Sequence, residues 1–202
     1  AGGALYCTSV TYFLVESTSF FSCKTSVGNG GAISISQGQI VLNGICGYDC
    51  YSTESGRHGQ FVYIGANGAV SNKNYANYSS MVRCVNENSN SYYAFDLFGG
   101  TVCYSSVNSS MNKCGYGVNF CNPSTTDTCS LLYCSFVDNI ATQYACLYLC
   151  NSGPKYEIKS CNILRNTQSS SSYGIISAWG SAIIQDCCIL ENTATYIFYG
   201  SS

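Results

Sequence analysis

Three short stretches decide how this chain folds: CSFVDN at residues 134–139, CNILRN at 161–166 and CCILEN at 187–192. Each has a Cys, an apolar residue two places on, and an Asn three places after that. The cysteines Cys134, Cys161 and Cys187 stand 27 and 26 residues apart, and Asn139, Asn166 and Asn192 keep the same spacing. Phe136, Ile163 and Ile189 fill the apolar slot. A fixed period of this size marks a solenoid, in which a repeat buries its apolar face only against its neighbours.

Degenerate copies carry the pattern outward. SFFSC at 19–23 puts Phe20 three residues before Cys23, with Cys in the Asn slot. CYSSVN at 103–108 reads as a weaker copy with Asn108 in the slot, and CVNEN at 84–88 as a weaker one still. A second element, small or aromatic and then apolar, recurs as GGALYC (2–7), GGAISI (30–35), QFVYIG (60–65), YYAFDL (92–97), YGVNF (116–120), YACLYL (144–149), YGIISA (173–178) and YIFYG (196–200). A third element precedes the Cys: YEIKSC (156–161), AIIQDC (182–187) and GGTVC (99–103). Ala4 to Ile197 spans 193 residues, or seven steps of about 28. Residues 44–80 are the least repeat-like part.

Three short strands per unit, with Gly, Asn and Ser between them, predict an all-β chain: a right-handed parallel β-helix of about seven turns, forming one domain over 1–202. A β-sandwich also has regular short strands, but it gives no reason for one slot to recur at one period. In a β-helix, equivalent positions lie about 4.8 Å apart, one above another. Phe136, Ile163 and Ile189 then stack as an apolar column, and Cys134, Cys161 and Cys187 as a column of small buried side chains. Asn139, Asn166 and Asn192 stand at a corner, where Asn tolerates a left-handed backbone and its amides can bond up and down the stack.

The GGA-[ILV] and F-x-x-N elements resemble the paired repeat motifs of the chlamydial polymorphic membrane proteins, at GGAL (2–5), GGAI (30–33) and FVDN (136–139). The cysteine beside F-x-x-N is more similar to the related surface proteins of trichomonad protists. The resemblance implies a surface-exposed or secreted, adhesin-like protein with a host protein, cell-surface protein or glycan as its ligand. It supplies no catalytic residue. No stretch here matches the membrane β-barrel in which the chlamydial proteins end.

Composition narrows the functions. Charged residues are 9% of the chain and the net charge is −2, so no basic stripe exists to neutralise nucleic-acid phosphates. No apolar run approaches the roughly 20 residues of a membrane helix, so this segment is not expected to insert into a membrane. A chain that opens on Ala1 without a signal sequence reads as a mature product or an excised piece. Fifteen cysteines point to an oxidising, extracellular compartment, and an odd number leaves at least one thiol free or paired with another molecule. Asn77 (NYS) and Asn108 (NSS) lie in sequons and are glycosylation candidates.

Chemistry is sparse. His58, the single histidine, lies in ESGRHGQ near Glu54 and Arg57 and reads as a solvated loop residue, since no nucleophile motif accompanies it. Asp138, Arg165 and Glu191 precede the slot asparagines and form an acid–base–acid column. That column reads as a surface ion-pair ladder rather than an inverting glycosidase site. Cys46 and Cys50, and Cys146 and Cys150, have C-x-x-x-C spacing but lack the second ligand pair of a zinc site. If extended, Cys146 and Cys150 face one way and are too far apart to bridge each other. Cys187 and Cys188 then point to opposite faces. Tyr92, Tyr144, Tyr173 and Tyr196 form an aromatic column that closes a corner or meets sugar rings or a protein.

No catalytic, cofactor or metal site is expected. Neither end shows a capping helix, so either the chain is a piece of a longer β-helix repeat protein or its ends or neighbouring repeats self-associate. The expected function is a non-enzymatic extracellular structural or adhesin-like surface protein assembling head to tail. The competing reading is a carbohydrate-active β-helix enzyme, a polysaccharide lyase or glycosidase.

Overall fold

The computed structural model describes residues 2–66, 72–84, 91–124 and 128–200. Among these there is no helix. The strands form three long parallel sheets, one of eight strands and two of seven, with two short sheets of three and two strands at a further corner. The chain visits the three long sheets in turn and then climbs one level, making a β-solenoid of about seven turns. The described residues among 44–80 follow the same path: Cys46–Tyr48, Val62–Gly65 and Lys73–Asn77 each pair with strands above and below.

The register explains the period. In the first sheet Leu5, Ile33, Val62, Phe95, Asn119, Leu147 and Ile176 are successive partners. In the third sheet the inward column runs Phe20, Gly47, Met81, Ser109, Phe136, Ile163 and Ile189. Alternation along each strand sends one set of side chains inward, where β-branched and aromatic residues fill the interior. Phe136 and Ile163 are each 1% exposed, and burying such a side chain stabilises by about 1.5–3 kcal/mol. Gly47 interrupts the column for a packing reason. A Cβ there would sit 2.4 Å from the Phe61 ring, which takes that space and meets Phe20 and Phe95 edge-on.

The bends differ in one respect from the expectation. The left-handed residue at the corner is not the Asn but the residue before it: Asp138 (φ 55°), Arg165 (φ 51°) and Glu191 (φ 57°). The corner before the third sheet does the same at Tyr133, Ser160 and Asp186, each just ahead of Cys134, Cys161 and Cys187. A residue with positive φ turns the backbone sharply, so the next side chain points into the rod. The Asn and Cys are thereby free to serve as rungs.

The slot itself also needs one correction. Asn108 is not in it. Asn108 pairs with Ser135, while Asn112 hydrogen-bonds to Asn139 as the next rung. Cys84 occupies the slot one turn earlier, its N–H bonded to Asn112 Oδ1 at 2.9 Å; most of the CVNEN copy lies outside the described residues.

Candidate functional site

Two features concentrate polar chemistry: the corner ladder and an aromatic pocket on the outside of the first sheet. In the ladder, each Asn makes the same three bonds. The Asn166 Oδ1 accepts from the Asn139 backbone N–H (3.0 Å) and from Asn139 Nδ2 (3.1 Å), and Asn166 Nδ2 donates to the Phe136 carbonyl (2.8 Å). Asn139 does this for Asn112 and Ser109, and Asn192 for Asn166 and Ile163. Buried polar atoms are thus satisfied wholly within the stack.

Cysteines mimic the rung. Cys161 Sγ lies 3.4 Å from the Cys134 backbone N–H and donates to the Leu131 carbonyl at 3.3 Å; Cys187 repeats this toward Cys161 and Ile158. At the Asn corner of the first three turns the slot holds Cys23, Cys50 and Cys84. Cys50 donates to the Phe20 carbonyl at 3.4 Å. The Cys84 thiol, hydrogen-bonding to Cys50, brings the Cys50 pKa down to about 7 against the effect of burial. Burial in turn pushes Cys84 well up.

The remaining cysteines divide by face. Cys146 packs in the main core, with its thiol pushed up to about 12 by burial, whereas Cys150 packs in an outer aromatic cluster. Cys46 is exposed and Cys50 buried. The C-x-x-x-C partners therefore face opposite ways, because the chain bends beside the strand instead of staying extended. Cys187 joins its column and Cys188 is exposed. A disulfide joins Cys121 to Cys129, tying the first sheet to the second across a short connection. No spacing rule in the sequence singles that pair out.

The acid–base–acid column is a surface feature. Arg165 binds both oxygens of Asp138 at 2.8 and 2.9 Å, which lowers the Asp138 pKa, and Glu191 acts on Arg165 more weakly. Of the sequons, Asn77 is half-buried within a strand paired on both sides, and Asn108 is exposed. Among the described residues no group of three His, Cys, Asp or Glu side chains could hold a metal ion.

The pocket depends on His58, which is not a free loop side chain. Its Nδ1 lies 2.7 Å from Asp96 Oδ2, and its ring stacks on Tyr92 at 4.4 Å. Its backbone N–H is tied to Asn29 Oδ1, and the neighbouring Arg57 to Glu54. His58 thereby begins an aromatic column that continues through Tyr92, Tyr116, Tyr144 and Tyr173, with neighbouring centroids 4.1 to 5.0 Å apart. The next contact is to Tyr199, not Tyr196, because Tyr196 is level with Gly174. Asp96, 1% exposed, lies in the outward row of the first sheet between Tyr63 and Phe120. Burial pushes its carboxyl pKa up, and the His58 hydrogen bond works against that. Sequence reading missed the pair because the two residues are 38 apart. The signal was a lone Asp in YYAFDL, at a slot where other copies carry Phe120 or Tyr148.

The chain matches no protein-family model, no curated protein and no solved structure.

Proposed function

We propose that this protein is a non-enzymatic structural or adhesin-like rod, extracellular or on a cell surface, whose end turns stack on those of a second copy. The observation that carries this reading is the uniform stack of parallel strands, whose first and last described turns keep apolar residues only partly buried. At one end Leu5, Phe13 and Cys23 pack against the core but are only partly buried. At the other end Ile184, Ile189 and Ile197 do the same, beside a cavity of about 230 Å³ lined by Ile176, Ile184 and Phe198. Unpaired parallel edges with apolar interiors are templates for further strands.

Other features agree with this. The Cys121–Cys129 disulfide suits an oxidising compartment. The resemblance to polymorphic membrane proteins at GGAL, GGAI and FVDN points to a surface. A polysaccharide-cleaving enzyme would gather carboxylates in one groove. Here Asp138 is held by Arg165 at a corner after the third sheet, and Asp96 by His58 outside the first.

Electron microscopy of the undissociated protein tests the proposal. Filaments with an axial repeat of roughly 34 Å, seven sheet spacings, are expected. Phe198→Lys, which places a charge in the open end, should abolish them while leaving the strand signal in circular dichroism. Single short rods at high concentration would overturn the stacking.

A further inference from the structure

The outward row on the first sheet runs Ser34, Tyr63, Asp96, Phe120, Tyr148 and Ser177, one residue per turn. Asp96 is a short side chain flanked by a ring in the turn before and a ring in the turn after. Those two rings belong to strands two sheet spacings apart, roughly 9.5 Å. The shortfall leaves a cavity of about 190 Å³ lined by His58, Tyr63, Asp96, Phe98 and Phe120. Phe98, 40% exposed, stands at the solvent side, and the 1%-exposed Asp96 lies at the base.

We propose that this cavity binds an organic cation bearing N–H donors: the ammonium or guanidinium head of a small amine or of a side chain on another protein. The site offers what such a head needs. Tyr63, Phe98 and Phe120 are aromatic walls, which attract cations through the ring quadrupole. Asp96 supplies a carboxylate in surroundings of low polarity, where its charge is only weakly screened. One of its oxygens bonds His58, while the other, Oδ1, is enclosed with no hydrogen-bond partner among the described residues. An unpaired buried acceptor is costly, and a donor brought by a ligand recovers that cost. No Lys or Arg lines the cavity. The nearest guanidinium in sequence, Arg57, is engaged by Glu54. A cationic N–H donor therefore supplies the partner that Oδ1 lacks and meets the ring faces at the same time. A neutral sugar would use the aromatic walls without bringing a charge to the carboxylate, and an anion would be repelled by it.

The inference goes beyond the rod and holds whether or not the ends stack. It is tested by NMR titration of the isotope-labelled protein with methylguanidinium chloride and butylammonium chloride. Sodium chloride controls for ionic strength and methyl glucoside for a neutral ring. Saturable shifts of the His58 and Tyr63 ring signals are expected with both cations at millimolar concentration, and none with the glucoside. Asp96→Asn, which removes the charge and keeps the shape, should weaken cation binding at least tenfold. Phe98→Ala, at the solvent-facing wall, should weaken it several-fold, and it keeps the test decisive if Asp96→Asn does not fold. A capped Gly-Arg-Gly peptide that binds tighter than methylguanidinium would assign the site to a protein side chain, and equal affinity to a free amine. Absence of a saturable shift, an equal response to the glucoside, or affinity unchanged by the folded variants would overturn the proposal.

Discussion

The corner after the third sheet is built in two ways along one rod. The first three turns place thiols there, Cys23, Cys50 and Cys84; the next four place amides, Asn112, Asn139, Asn166 and Asn192. Geometry is shared, since a left-handed residue precedes the slot in both halves, as at Asp49 (φ 53°) and Asp138 (φ 55°). Bonding is not. An amide accepts two hydrogen bonds from the turn before and donates a third, as Asn166 does. A thiol offers one weak donor and a soft acceptor. The comparison teaches that the corner requires a small polar side chain turned inward, and that the choice between them trades bond number against chemical reactivity.

The largest expected effect separates the halves. Asn139→Ala leaves the Asn112 N–H buried without its partner and removes one donor from the Ser109 carbonyl, and should cost about 2–3 kcal/mol in urea unfolding. Cys50→Ala removes a weak donor and a small buried volume, and should cost about 1–2 kcal/mol. Equal losses would break the comparison.

A second, smaller difference appears with pH. The folded Cys50 pKa is about 7 against an ordinary 9.0, so between these values the folded chain has released a proton that the unfolded chain retains. Stability from Cys50 therefore rises from pH 7 to 9 and is lost as the pH falls through 7. Unfolding curves across that window should show the rise in the native protein and its loss in Cys50→Ala. The Asn half has no counterpart at this corner. Smallest is the outer face of the Asn corners. Arg165→Ala breaks an exposed pair with Asp138 and should change stability by no more than about 1 kcal/mol, less in high salt.

Much of the solenoid is visible in the sequence because stacking is periodic and apolar slots repeat. Cys134, Cys161 and Cys187 are 27 and 26 apart because that is the length of one circuit. The rung at Asn112 was obscured by Asn108, which sits beside a tempting Cys103 but four residues out of register. Counting back 27 from Asn139 lands on Asn112. The pocket was less legible for a different reason. His58 and Asp96 lie either side of a circuit that is 33 residues long, Val62 to Phe95, so counting by the 27-residue period does not bring them together. A site made by an irregular turn leaves no trace in the period. The aromatic column was visible at Tyr92, Tyr144 and Tyr173, but its start on a histidine was not.

The parallel stacking has a mechanical consequence. Hydrogen bonds between strands lie along the rod, so each turn is held chiefly by the turns directly above and below. Pulled apart by its two ends, such a rod should peel one circuit at a time, and each circuit of about 27 residues should release about 90 Å of chain. The force trace should be a sawtooth whose spacing follows the circuit lengths, with one tooth shortened further: the turn closed by Cys121 and Cys129 keeps the residues between them from extending until the disulfide is reduced.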